Sequence, residues 1–344
     1  MRQALNTLYV TVDDAYVRLE GETLVVMIEK EKRLQAPLHH LGQIVCFGNV
    51  RMSPALMARN AEDGRSVVWM NRFGRFMARV EGAANGNILL RQAQFRAADK
   101  TDVTLEIART IVAGKIRNSR QNLLRSKRDS KDELEKSSLG KAAGQLAVNL
   151  RNLEFVDNLD SVRGLEGDAA HVYFGCINLM LRSSAREAFE YTSRSRRPPK
   201  DRINALLSFL YALLMNDCKS ALETVGLDSQ LGFLHAVRPG RHALALDILE
   251  EFRAVLGDRL AITLINRGQI KAEDFDENEG GSVLLNDKGR KKVLTAYQER
   301  KQETLMHPML EQTMEIGLLP LVQARVLARY LRQDIEYYIP YLHK

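Results

Sequence analysis

Cysteine is scarce in this chain: three residues in 344, Cys46, Cys176 and Cys218, far apart and each in an apolar stretch. No C-x-x-C pair occurs. That argues against a disulfide framework or a zinc knuckle and leaves buried thiols in a reducing compartment as the expected state. Aromatic residues are also few, 6% with a single tryptophan. A surface built mainly to stack single-stranded bases needs more. There is no G-x-x-x-x-G-K-[ST] phosphate loop. No uninterrupted apolar run is long enough to cross a bilayer, and "MRQALNTLYVTVDD" lacks a signal core and a cleavage site. The expectation is a soluble, cytoplasmic protein with no membrane partner.

What the chain does carry is positive charge. Fifty Lys and Arg face 43 Asp and Glu, a net +7. An anionic partner follows, and a nucleic-acid duplex gripped by its phosphates suits the composition better than a stacked single strand. The 45% hydrophobic content is that of a globular protein, and the length allows one large domain or two ordinary ones.

Two halves differ in period. "TLYVTV", "AYVRLEG", "ETLVVMIE", "QIVCFG", "SVVWMN" and "ILLRQA" are short, rich in branched and aromatic residues, and separated by turn signals such as "EDGR". Within them "SPALMARNAEDG" predicts one short helix, capped by Ser53 and ended by Gly64. Beyond residue 90 the spacing turns helical. The fold class expected is α+β, with a β-rich domain over 1–90 and a larger all-α domain over 91–344. Two stretches interrupt the helices. "SRSRRPPKDR" is a basic loop with prolines that block helix continuation. "KAEDFDENEGGSVLLNDKGRKK" reads as a mobile loop followed by a small turn. A ladder of Arg109, Lys115, Arg117, Arg120, Arg125, Lys127 and Arg128 is either a solvated helix face or a phosphate-tracking one.

One stretch combines unlike chemistries. "GFLHAVRPGRHALALDILEEFR" (Gly232–Arg253) sets a histidine ahead of a basic turn and an apolar helix bearing Asp247, Glu250 and Glu251. Leu244, Ala245, Ile248, Leu249, Phe252, Val255 and Leu256 share one face, and the acids the other. Asp247 and Glu250, three apart, lie on adjacent turns, where they repel unless a cation, a proton or solvent screens them. The acids are thus either the wet face of an ordinary helix or part of a metal site. His235 and His242 are equally available as the imidazole. Glu166, in "GLEGDAAHVYF", is either an N-terminal acid complementing a helix dipole or a third ligand in a tight helix crevice. Two carboxylates and an imidazole suit Mg²⁺ or Mn²⁺ better than zinc.

Several of these motifs are similar to one family. "GLEGDAAHVYF", "NALLSFLYALL", "GLDSQLGFLHAVRPGRHALALDILEEFR" and "LINRGQI" resemble the helical domain of the CRISPR adaptation integrases, the Cas-one family. "LNTLYVT", "PLHHLGQIVCFG", "NGNILLRQAQ", "ERKQETLMHPMLEQ" and "GLLPLVQARVLARYLR" extend the resemblance over nearly the whole chain. The details are most similar to the subtype I-C branch.

The resemblance implies metal ligation by Glu166, His235 and Glu250, with Asp247 beside them assisting binding or orientation. Many members have aspartate where this chain has Glu250. Tyr211 matches a tyrosine that some members place near the active site, although a core tyrosine is the plainer reading. Also implied are a homodimer, for which strand edges in the β domain are a natural surface, and a complex with the small protein Cas-two. The implied reaction is metal-dependent transesterification. The 3′-hydroxyl of a short DNA fragment (the spacer precursor) attacks a phosphodiester at the edge of a CRISPR repeat in double-stranded DNA. The alternative is a metal-dependent nuclease that cuts branched or single-stranded DNA without joining it. A ligating His235 must be neutral, so activity falls as it protonates. Arg194, Arg196 and Arg197 of the basic loop, and Arg238 and Arg241 beside His235, are the expected DNA contacts.

Overall fold

The computed structural model describes residues 6–80, 82 and 88–343. Packing divides the chain into two compact units. The first holds residues up to 85 together with Arg290–Thr304 and Glu315–Leu318. Strands Asn6–Val10, Leu41–Phe47, Ser66–Met70 and Phe76–Val80 form one sheet in that order. Arg51–Met52, Tyr16–Glu20, Thr23–Ile28 and Glu31–Pro37 form the other. Alternation puts Val17, Leu24, Val26, Ile44 and Cys46 into one shared core with Leu56 and Val67. The short helix Pro54–Glu62 starts at Ser53, whose Oγ accepts from the Leu56 N–H at 3.3 Å, and Gly64 follows it at φ +66°.

The expected division at 90/91 falls inside a helix, Ile88–Ala98. "ILLRQA" is thus helical and not a strand: Leu90 and Gln94, four apart, are the buried pair. Short apolar runs do not distinguish the two periods. Late segments join the first unit because Lys301 Nζ meets Thr7 Oγ1 at 3.3 Å and Gln302 Nε2 donates to Asn6 Oδ1 at 3.0 Å.

The second unit is built around the Thr101–Asp129 helix. Against it lie Glu133–Asn152, Leu159–Gly175 and Ala243–Phe252, the last continuing through a π-helical turn, Arg253–Asp258, into Arg259–Asn266. Asp132, Asn158 and Asp201 cap the N-termini of three of the unit's helices with their carboxylate or amide oxygens. The Arg202–Val225 helix is long and apolar enough to span a bilayer by length and composition alone, but polar residues interrupt its apolar run and 72% of its apolar window is buried. It is a core helix. The stretch read as a mobile loop folds as a hairpin, Phe275–Glu277 against Val283–Leu285, in which Val283 and Leu285 are buried. Its acidic tip hides the alternation of the flanking residues. All three cysteines are free and buried.

A candidate metal centre held by four helices

The centre begins with Asp247, which is fully buried. Its Oδ2 accepts from the backbone N–H of Phe233 at 2.6 Å and of Leu234 at 3.0 Å. Its Oδ1 accepts from the N–H of His235 at 2.9 Å and meets His235 Nδ1 at 2.7 Å. One carboxylate thus ties down the whole loop that carries the histidine. Gly232 permits it: a Cβ there would sit 2.7 Å from the Asp247 Oδ2 and from the Ala243 carbonyl carbon. Gln94, itself buried, holds the preceding turn through Asp228 and Leu231, and Arg163 holds the Leu234 carbonyl at 3.0 Å. A carboxylate only accepts hydrogen bonds, so His235 Nδ1 carries a proton, and Nε2 is the nitrogen that a neutral ring would offer to a ligand.

That Nε2 points at Glu250, 4.0 Å from its Oε1. Glu250 is 2% exposed. Arg253 reaches the same Oε1 at 3.0 Å, and Lys115 lies 2.7 Å from Oε2. Burial alone raises the Glu250 carboxyl, but Arg253 and then Lys115 outweigh it and hold it down at about 2. The Lys115 ammonium also makes a close contact with Glu166 Oε1, so it bridges the two carboxylates. Its contact with Glu250 Oε2 lacks hydrogen-bond alignment and leaves that buried oxygen without a hydrogen-bond partner. Glu166 is the open member of the set, its side chain 28% exposed, and His235 follows at 23%. Beside them is a narrow crevice lined by Lys115, Ser119, Ala170, Tyr173, Arg253 and Asp258.

Behind the carboxylates the structure is closed by polar side chains. Asn118 donates to the Glu251 carbonyl and Asn122 to that of Ala254, at 2.8 and 2.7 Å, where the helix widens into its π turn. Glu251 itself is fully buried and accepts from the Tyr338 hydroxyl and, at 2.7 Å, from the Tyr341 N–H. Burial pushes its carboxyl up to about 8, against those two hydrogen bonds. The Tyr211 hydroxyl bonds Asp258, and the guanidinium carbons of Arg253 and Arg194 lie 4.7 and 5.5 Å from the centre of its ring. Burial raises Asp258 to about 6 despite that hydroxyl.

Glu166, His235, Asp247 and Glu250 are therefore brought together. Two local expectations change. The acids are not a wet helix face: Asp247, Glu250 and Glu251 are all buried, because neighbouring helices cover that side too. Nor is Glu166 an N-terminal acid, since its helix begins at Leu159 with Asn158 as cap and Glu166 lies two turns inside. The two histidines also differ in position, and only His235 lies beside the acids. Both nitrogens of His242 are engaged, Nε2 by Lys219 at 2.9 Å and Nδ1 by Ser229 at 3.0 Å, away from the acids.

Lys115 and Arg253 are the members that sequence reasoning missed. Lys115 stood in the basic ladder, yet it is buried between Ile111, Val112 and Ile116. A lysine on the apolar face of a helix was the available signal. The rest of the ladder separates. Arg117, Arg120 and Arg151 line an open groove between two helices, while Arg125 and Arg128 pair loosely with Asp129. Arg194 turns inward, donating to Ser195 and Asn204, which removes it from the exposed DNA contacts expected of that loop. Arg196, Arg197 and Arg238 are exposed, and Arg241 is half-buried.

Chemically the donor set fits a hard divalent ion: two carboxylates, an imidazole with its outer nitrogen oriented, and a buried carboxylate oxygen whose neighbour, the Lys115 ammonium, is not aligned as a hydrogen-bond donor. Among the described residues, however, no three His, Cys, Asp or Glu side chains stand close enough to hold one as placed. The Lys115 ammonium sits between Glu166 and Glu250.

Comparison with known proteins gives a consistent result. The family model "CRISPR associated protein Cas1" matches residues 8–299. A curated relative from Moorella thermoacetica, "CRISPR-associated endonuclease Cas1 1", is 52% identical over 344 residues and covers 100% of both chains. One from Chlorobaculum tepidum with the same description is 46% identical over 99% of both. Among solved structures, a Cas1 protein from Thermotoga maritima superposes with a TM-score of 0.81 at 23% identity, covering 98% of this chain and 100% of that one. A casposase bound to integration product gives 0.82 at 21% identity, covering 97% and 92%. A chain of a Cas6-RT-Cas1–Cas2 complex gives 0.83 at 24%, covering all of this chain and 37% of that one. These three likenesses establish the fold.

Proposed function

We propose, from the premise that this chain belongs to the CRISPR-associated Cas1 family, that it is a metal-dependent DNA integrase and endonuclease. It joins the 3′-hydroxyl of a short duplex fragment to the end of a CRISPR repeat by transesterification. The observation that carries the reading is that Glu166 and Glu250, from two helices, meet at one ammonium group, with His235 Nε2 from the intervening loop 4.0 Å from Glu250 Oε1. Those three residues would hold Mg²⁺ or Mn²⁺. When bound, the ion supplies a Lewis acid that stabilises charge on the phosphoryl oxygens.

The chain's own residues do the rest. Asp247 fixes the His235 tautomer and ring, and so is a positioning residue. Arg253 keeps Glu250 ionised. The Arg117–Arg120–Arg151 groove and the exposed Arg196, Arg197 and Arg238 offer cations to duplex phosphates, which orient the strand without reading its sequence. Such catalysis is mostly positioning. The reading includes a homodimer, Cas2 as protein partner and action in the cytoplasm, with the subtype I-C branch as its place in the family. A solved neighbour described as a Cas1–Cas2 complex and another described as a Cas1–DNA complex support the partners by analogy.

The test is a joining assay with Mn²⁺, end-labelled duplex and a plasmid bearing a CRISPR repeat, with and without Cas2. Label should enter the plasmid with wild type and not with Glu166→Ala. Cleavage without joining would favour the nuclease that cuts branched or single-stranded DNA. Equal joining by Glu166→Ala would refute the site.

A further inference from the structure

The Lys115 ammonium is not used by the chemistry above, yet it lies between the two carboxylates of the donor set. It is buried, 6% exposed at the side chain, and touches both Glu166 and Glu250. A buried lysine is costly unless its charge is matched, and here two carboxylates match it. Glu166 and Glu250 are both in contact with the ammonium, and Arg253 reaches Glu250 as well. A divalent ion taking the same carboxylate oxygens would meet that ammonium at contact distance, where like charges repel. Geometry agrees, because the ammonium already lies where the two carboxylates point and leaves Glu250 Oε2 without an aligned hydrogen bond. Lysine has a flexible four-carbon stem, and the crevice it lines, with Ser119, Ala170 and Tyr173, adjoins the site.

We propose that Lys115 is a resident cation that holds the two metal-binding carboxylates together in the metal-free protein, and that the divalent ion binds by replacing it. This rests on the metal reading given under the proposed function. Lys115 then has two effects. It stabilises the empty site, and it weakens apparent metal affinity by competing for the same oxygens.

The experiment measures Mn²⁺ affinity by calorimetry and thermal stability with and without Mn²⁺, for wild type, Lys115→Met and Lys115→Gln, with Glu250→Gln as control. Removing an opposite charge in contact with a carboxylate is worth at least about tenfold in its affinity for another cation. Lys115→Met should therefore bind Mn²⁺ at least about tenfold more tightly than wild type, melt lower without metal, and be raised more by Mn²⁺. Lys115→Gln should move the same way, and Glu250→Gln should bind weakly. Equal or weaker Mn²⁺ affinity in both lysine variants would overturn the proposal and leave the metal reading standing. Absence of binding in every protein would overturn both. If the lysine variants fold only when Mn²⁺ is present, the ion is replacing the ammonium, as proposed. If they fold under neither condition, the ammonium does something the ion cannot, and the proposal fails.

Discussion

Replacing Asp247 by Asn changes one atom and tests how the site is wired. Each carboxylate oxygen has two donors: Oδ2 the N–H groups of Phe233 and Leu234, Oδ1 the N–H and Nδ1 of His235. An amide cannot accept on both sides. If its NH₂ takes the Oδ2 place, it faces two backbone N–H groups in a fully buried position. If it takes the Oδ1 place, it faces one, and the histidine can answer only by giving up its Nδ1 proton. The proton then moves to Nε2, the nitrogen aimed at Glu250, and the lone pair needed for a metal is lost. Hydrogen bonds to a buried charge are worth about 1.5–3 kcal/mol each, so a loss on the order of 3 kcal/mol in unfolding free energy is expected. Loss of a partner that orients a ligand costs roughly 10–100-fold in metal affinity or activity. Denaturant unfolding and Mn²⁺ calorimetry on Asp247→Asn read both. Unchanged Mn²⁺ affinity, with stability equal to wild type, would refute the claim that Asp247 sets the histidine.

Three further outcomes are expected. Glu251 has an ordinary value of 4.5 and a folded value near 8, so between them the folded chain holds a proton that the unfolded chain releases. Unfolding free energy should therefore fall as pH rises across that window, by on the order of 4 kcal/mol, and Glu251→Gln should flatten the slope in denaturant melts at stepped pH. Gly257→Ala places a Cβ 2.7 Å from Tyr211 Cε1, which must displace the ring that Arg253 and Arg194 approach. A loss of about 1–3 kcal/mol is expected by the same melts, and no loss would show that the ring yields freely. Reversing charge at Arg117, Arg120 and Arg151 should weaken duplex binding and lower the slope of log affinity against log salt by about 0.9 for each phosphate contact removed. An unchanged slope would take that groove off the DNA path.

The readability of the sequence follows from what periodicity can and cannot encode. The Ser53 cap and the strands around Val17, Leu24 and Ile44 were legible because a side chain or an alternation fixes them locally. The helix at Ile88 was not, since its opening "ILLRQA" satisfies strand and helix alike and its buried face includes a glutamine whose partners lie more than 130 residues away. The same limit governed the acids after Ala243. A polar stripe on a helix looks identical whether water or another element's cation faces it, and here Lys115 and Arg253 do. His235 could not be separated from His242 by composition; Asp247 and Lys219 make the difference through contacts the pattern does not carry. Glu166, His235 and Glu250 were named by resemblance to a family, and their convergence needed the fold.

The most direct measurement is a crystal of this protein soaked in Mn²⁺ and recorded at the manganese absorption edge. One anomalous peak is expected among Glu166, His235 Nε2 and Glu250, with the Lys115 ammonium withdrawn. A peak elsewhere, or none while Lys115 still bridges the carboxylates at saturating Mn²⁺, would contradict a metal-dependent centre at these residues.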